Sequence, residues 1–153
     1  MSALNTNYLT PTGREEAWRF TPLKRLAGLH DSNTNVSENI SLSASSKLPN
    51  GVELAVAKAI DFPPSYTSTD VVTNRIRAEV KNISVLTIKK DLELDTPIFL
   101  SRKCGNTPEL SRVLIQAGEN SKSVVIIENN GTGEIGEEIE VSLASGASLD
   151  LIS

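Results

Sequence analysis

Alternation of apolar and polar residues is clearest in the C-terminal half, where the chain runs strand, turn and strand three times over. The first unit is Val85-Leu86-Thr87-Ile88, a turn at Lys89-Lys90-Asp91, then Leu92-Glu93-Leu94, continuing through Pro97 to Ile98-Phe99-Leu100. The second is Val113-Leu114-Ile115, a turn around Gly118-Glu119-Asn120, and Val124-Val125-Ile126-Ile127. The third is Ile139-Glu140-Val141-Ser142-Leu143, a turn at Ser145-Gly146, and Leu149-Asp150-Leu151-Ile152. Corresponding turns recur about every 27 to 29 residues. Such a period marks stacked units, each burying its apolar face against its neighbours. The units are too short and irregular for leucine-rich repeats, and no helix separates the strands. A mainly β fold with a parallel β-helix (a β-solenoid) fits best; a β-sandwich is the alternative that periodicity alone leaves open. The pattern stops in mid-strand without the polar cap a solenoid needs, so residues 83–153 read as the first coils of a truncated core.

Upstream the pattern weakens. Residues 51–82 lead into the core: Val52, Leu54 and Val56 alternate as a strand, and Phe62-Pro63-Pro64 breaks it. Thr69 then caps a helix that carries Val72, Ile76 and Val80 on one stripe. Residues 31–50 are rich in Ser and Asn and read as a flexible, solvated connector. Residues 1–30 form a short helical segment. Thr12 and Glu15 fit a capping box, Thr21 before Pro22 fits a second helix start, and Gly28 ends the run after Leu23, Leu26 and Ala27. Trp18 and Phe20 read as anchors that pin this segment to something else.

Of the 153 residues, 39% are apolar and only 4% aromatic, so a core here rests on Val, Ile, Leu and Ala, a composition that suits strands. The net charge of −4 argues against nucleic acid, which needs clustered cations. The densest basic stretch, residues 14–25, is interrupted by Glu15 and Glu16 and reads as a solvated face. A single cysteine, Cys104, makes no internal disulfide. The opening stretch from Met1 to Pro11 is polar, without a signal peptide, and no window approaches the roughly 18 apolar residues of a membrane span. These readings place the chain in the cytoplasm.

Candidate chemistry is sparse. Gly131-Thr132-Gly133-Glu134-Ile135-Gly136 matches G-x-G-x-x-G, but the alternating Glu137-Glu138-Ile139-Glu140-Val141 follows where a phosphate-binding helix should begin. The glycines read as a wide turn between coils. His30 and Cys104 are the only imidazole and thiol, too few for a metal centre or cluster, and no nucleophilic triad forms around one His. Cys104 reads as an incidental loop thiol and His30 as a helix-end residue. Glu137, Glu138 and Glu140 offer paired carboxylates, but read as charge on a solvated strand edge. No catalytic, cofactor or metal residue emerges.

The stretch Arg14-Glu15-Glu16-Ala17-Trp18-Arg19-Phe20-Thr21-Pro22-Leu23-Lys24-Arg25-Leu26 resembles the N-terminal signature of SufD, within the SufB/SufD family. Glu93-Leu94-Asp95-Thr96-Pro97-Ile98 resembles that family's entry into its core, and Arg112-Val113-Leu114-Ile115 is similar to its next coil. The resemblance implies a right-handed parallel β-helix flanked by helical regions. It also implies a non-catalytic scaffold role in iron–sulphur cluster assembly beside SufB and the ATPase SufC, with the cluster handled by the full complex and no cofactor bound by this chain alone. The family's SufC-binding region has no counterpart among these residues. A carbohydrate- or peptide-binding β-solenoid is the alternative, and a metal- or nucleotide-dependent enzyme the third. An exposed last coil also implies self-association.

Overall fold

The computed structural model describes residues 9–153. The polar opening stretch, on which the expectation of no signal peptide rests, lies largely outside them. The protein is mainly β, curled like half a barrel. Its first strands are β1 (Ser37–Glu38), β2 (Ser43–Ala44) and β3 (Val52–Lys58), followed by helix α1 (Val71–Glu79). Then come β4 (Asn82–Ile88), β5 (Ile98–Cys104), β6 (Glu109–Ala117), β7 (Lys122–Gly131), β8 (Ile135–Leu143) and β9 (Ser148–Ile152).

From β4 onward, successive strands go to different sheets. β4, β6 and β8 pair in parallel in one; β5, β7 and β9 pair in parallel in the other. Among the described residues only β3 on β4 and β2 on β5 pair antiparallel. A sandwich of hairpins is therefore not what these residues build. Val113 stands opposite Ser84 and Ile139 opposite Val113, so the chain returns to one position after about 26 to 29 residues. Parallel pairing in register puts like residues above like, because side chains alternate between faces. Leu86, Ile115 and Val141 thus form one inward row, and Leu100 and Ile127 another. Leu86, Ile115, Leu100 and Ile127, with Val52, Ile88, Ile98, Val113 and Val125, make the inner core between the sheets, while Val141 is exposed on the last circuit.

The turns stack as the strands do. Asp91, Asn120 and Gly146 each take a left-handed conformation (φ 57°, 55° and 71°). Such backbone suits Gly and is tolerated by Asn and Asp. The Asp91 N–H donates to the Glu119 carbonyl at 2.7 Å, and the Asn120 N–H to that of Ser145 at 2.9 Å. The Asn120 amide also donates to the Asp91 carboxylate at 3.1 Å. The strand expected at Leu92-Glu93-Leu94 shrinks to a single bridge between Glu93 and Lys122, because a turn and Pro97 leave no room for a ladder.

A second core lies outside the first sheet. Ile76 and Val80, with half-buried Val72, pack there on Ile83, Val85, Leu110 and Leu114. The cap of α1 falls one residue later than expected: the Asp70 carboxylate, not Thr69, accepts the Thr73 N–H at 2.7 Å. A shorter reach and a formal charge favour Asp there.

The N-terminal helices expected within residues 1–30 are not formed as α-helices. Among the described residues of that segment only two 3-10 turns appear, Glu16–Trp18 and Leu23–Leu26, and neither has a side-chain cap. The Glu15 carboxylate does accept the Thr12 N–H and hydroxyl, but Thr12 returns its bond to Arg14, closing a local turn instead of a helix start. Left-handed Ala27 and Gly28 then end the segment. Runs this short cannot offset the cost of helix nucleation. Residues 31–50, read as a flexible connector, lay β1 along β6 and β2 along β5. Leu42 enters the inner core, and the buried Asn39 amide donates to the Lys103 carbonyl at 2.8 Å and to Glu109 at 2.7 Å.

Arg75 on α1 ties this region down. Its guanidinium is fully buried and donates to the carbonyls of Gly28 (2.9 Å), Leu29 (3.3 Å), Asp31 (2.6 Å) and Thr34, while Nε donates to Glu79 at 2.8 Å. Removing it strands four carbonyls at once, each costly to leave unpaired. Arg75→Ala should lower stability by about 3 kcal/mol. Urea unfolding checks this; a loss below about 1 kcal/mol would show that residues 28–34 hold their shape without the guanidinium.

Candidate functional site

The carboxylates that read as a solvated edge are buried and paired. β8 alternates its side chains, so Glu138 and Glu140 face outward toward α1 while Glu137 faces inward. Glu138 is 5% exposed and sits between two guanidinium groups. Arg77 of α1 reaches it at 2.5 Å and Arg112 of β6 at 3.4 Å. Arg112 also meets Glu140 at 3.1 Å and donates to the Phe62 carbonyl at 2.7 Å. The Tyr66 hydroxyl donates to Glu138 at 3.2 Å, and its ring lies 4.3 Å beneath the Arg77 guanidinium. The Ser65 N–H donates to Glu140 at 3.1 Å. Residues 62–66, α1, β6 and β8 are thus riveted by two positive and two negative charges, a balance that burial requires.

Burial alone would raise the Glu140 carboxyl, but the Ser65 hydrogen bonds and Arg112 outweigh it and hold its pKa below the ordinary 4.5. Contact with Glu138 pushes the Arg77 guanidinium upward. Glu140, held ionised by these partners, serves as the ion-pair partner of Arg112.

A second pair faces inward. Arg102 of β5 is fully buried, with a nitrogen 2.6 Å from the Glu137 carboxylate but off the line of a hydrogen bond. Ser111, opposite Glu137 in the ladder, is likewise buried with its hydroxyl unpaired among the described residues. One end of the interior is polar; the other is aliphatic.

The remaining candidates fall apart spatially. Cys104 ends β5, half-buried; burial foremost, then Glu109, raises its thiol pKa, against the pull of Arg102. That depletes the thiolate a nucleophile or ligand needs. His30 lies in the turn after the second 3-10 segment, not at a helix end. Among the described residues no three His, Cys, Asp or Glu side chains gather as a metal site. The glycine-rich run forms the turn from β7 into β8, as its alternation implied. Side chains at Gly131 and Gly133 would collide with the carbonyls of Cys104 and Gly105 in the circuit below. Trp18 is half-buried, whereas Phe20 is 89% exposed, with the Arg19 guanidinium 5.6 Å from its ring. Phe20 therefore does not anchor the segment to the described fold.

Removing the shared carboxylate should isolate two buried cations. Glu138→Ala should cost about 3 to 5 kcal/mol, against a smaller loss for Glu138→Gln, which keeps an acceptor. For Glu140, whose folded pKa is depressed, the stabilisation is present above about 4.5 and is lost as pH falls through the folded value. Stability of the native chain should therefore decline below about pH 4.5, and Glu140→Gln should flatten that decline. Urea midpoints measured from pH 7 to pH 3 read both effects; identical pH profiles would remove Glu140 from the account.

The chain is similar to curated relatives over most of its own length. It is 27% identical over 149 residues to an iron–sulfur cluster assembly SufBD family protein of Mycobacterium leprae, covering 93% of this chain and 37% of that protein. It is 25% identical over 148 residues to proteins of the same description from Mycobacterium bovis and Mycobacterium tuberculosis, covering 93% of this chain and 36% of each. The chain thus spans little more than a third of the relatives it matches. No family model matches it. No solved structure matches it significantly. The aligned likeness supports the SufB/SufD family for this chain, at the level of that family and not of SufD within it.

Proposed function

We propose that the chain serves iron–sulphur cluster assembly as a non-catalytic, SufD-like scaffold working in the cytoplasm with SufB and the ATPase SufC. The observation that carries this reading is the likeness to SufBD family proteins across 93% of the chain. The Trp18-Arg19-Phe20-Thr21-Pro22 signature supports SufD in particular. In this reading the cluster is cargo of the full complex, the chain binds no cofactor alone, and ATP hydrolysis by SufC drives rearrangement of the pair. The parallel pairing of each strand with the strand two ahead supports a right-handed parallel β-helix as the architecture. No helix among the described residues is long and apolar enough to cross a membrane.

One observation favours the carbohydrate- or peptide-binding alternative. The outer face of the second sheet aligns Phe99, Ile126 and Ile152 in one apolar row, which no described element covers. An extended peptide or a sugar face suits such a row. Self-association belongs to the same proposal: among the described residues β8 and β9 pair on one side only, and Val141, Leu143 and Ile152 are exposed there.

Co-expression tests the assembly role. The longest open reading frame containing this sequence should co-purify with SufB and SufC in salt-resistant, stoichiometric amounts. Recovery of neither, together with a specific hit on a glycan or peptide array, would replace it with the binding-module reading. Light scattering of the chain should show mass rising with concentration; a strict monomer removes the self-association.

A further inference from the structure

The chain holds two Asn-Gly pairs, Asn50-Gly51 and Asn130-Gly131, and the fold treats them oppositely. We infer that Asn50 is a site of spontaneous deamidation and isoaspartate formation, while Asn130 is protected. The chemistry is intramolecular. The Gly51 backbone nitrogen attacks Asn50 Cγ and a C–N bond forms. The Asn50 side-chain nitrogen leaves as ammonia, taking the proton from the Gly51 N–H. Water then opens the succinimide at either carbonyl, giving aspartate or isoaspartate. Only water is consumed. A glycine on the C-terminal side leaves the attacking nitrogen sterically open, and asparagine is among the thermolabile residues for this kind of reason.

Reaction requires the side chain and the following peptide to swing together, so restraint decides the rate. Asn50 and Gly51 are the exposed central residues of a turn closed by one bond, from the Val52 N–H to the Pro49 carbonyl at 3.1 Å. Gly51 is left-handed (φ +89°), the conformation of the third residue of a type II turn, whose central peptide faces solvent. Among the described residues nothing accepts the Gly51 N–H. To swing the Asn50–Gly51 peptide, the turn has to release that bond and the one from the Lys89 N–H to the Gly51 carbonyl at 2.8 Å.

Asn130 is held at every point that matters. It lies within β7, opposite Lys103, with Gly131 opposite Cys104 in the parallel ladder. Gly131 packs against the Cys104 carbonyl so closely that even a Cβ has no room. The Asn130 side-chain amide donates to Glu128 at 3.2 Å. Swinging this peptide means unpairing the end of β7.

The product has a structural consequence. Isoaspartate lengthens the backbone of the turn by one carbon, immediately before Val52 pairs with Ile88. The same turn offers the Gly51 carbonyl to the Lys89 N–H at 2.8 Å, so the antiparallel pairing of β3 and β4 frays at that end.

The test incubates the folded chain at mildly alkaline pH. Peptide mass spectrometry then locates each amide-to-acid conversion, and protein isoaspartyl methyltransferase with labelled methyl donor counts isoaspartate. Asn50 should convert at least about tenfold faster than Asn130. In denaturing urea the two should converge, and Asn50→Gln should abolish most methyl acceptance by the folded chain. Hydrogen exchange at Lys89 should quicken in the aged protein. Equal rates in the folded chain, faster loss at Asn130, or undiminished methylation of Asn50→Gln would each overturn the assignment.

Discussion

Everything in this molecule answers to one requirement: the chain must come back to the same height after each circuit, so that parallel strands lie in register. Parallel ladders tolerate little slip here, because moving one strand by a residue would turn its inward aliphatic row out to solvent. Two devices hold the register. Apolar residues repeat at matched heights, as in Leu86, Ile115 and Val141, so correct stacking is also the arrangement that buries most surface. Left-handed turn residues repeat as well, at Asp91, Asn120 and Gly146, so each turn nests on the one before. Glycines 131 and 133 belong to the same logic, since circuits approach there too closely for any side chain.

Stacking leaves the outside of the first sheet apolar in places, and α1 covers it. Hydrophobic contact fixes that the helix lies there, but not its rotation or slide. The charges around Glu138 supply direction: Arg77 from the helix and Arg112 from one strand converge on a carboxylate from the next strand. Dry ion pairs are weak sources of net stability, yet a mispositioned helix would strand several charges in a buried place. Arg75 acts in the same way on the other side of α1, where it gathers carbonyls instead of carboxylates. The helix thus works as a clamp between the N-terminal segment and the third circuit.

The parts legible in the sequence are those governed by local pattern. Alternation located β4, β6, β7, β8 and β9, and Gly118, Asn120 and Gly146 marked turns where the chain indeed reverses. The strand after the glycine-rich run was legible because its residues alternate. What escaped was set by partners distant in sequence. Nothing near Glu138 announces that Arg77, 61 positions away, neutralises it, so three glutamates on one strand read as an exposed edge. Ser- and Asn-rich residues 31–50 looked solvated because composition reports side chains, whereas β1 and β2 are held by backbone bonds to sheet edges. The segment before Gly28 forms 3-10 turns instead of helices because its start signals close no side-chain cap and too little chain follows them.

The N-terminal signature inverts this relation between legibility and packing. Its sequence is the most distinctive in the chain, yet the described fold uses it least. Leu23 and Leu26 are only half-buried, and Phe20 stands in solvent with Arg19 against its ring. An aromatic residue kept in an exposed position does nothing for the stability of these circuits, and exposes surface that water disfavours. Fold and signature are therefore separable among the described residues: the stacked strands are held by their own repeats, and Phe20 adds nothing to them.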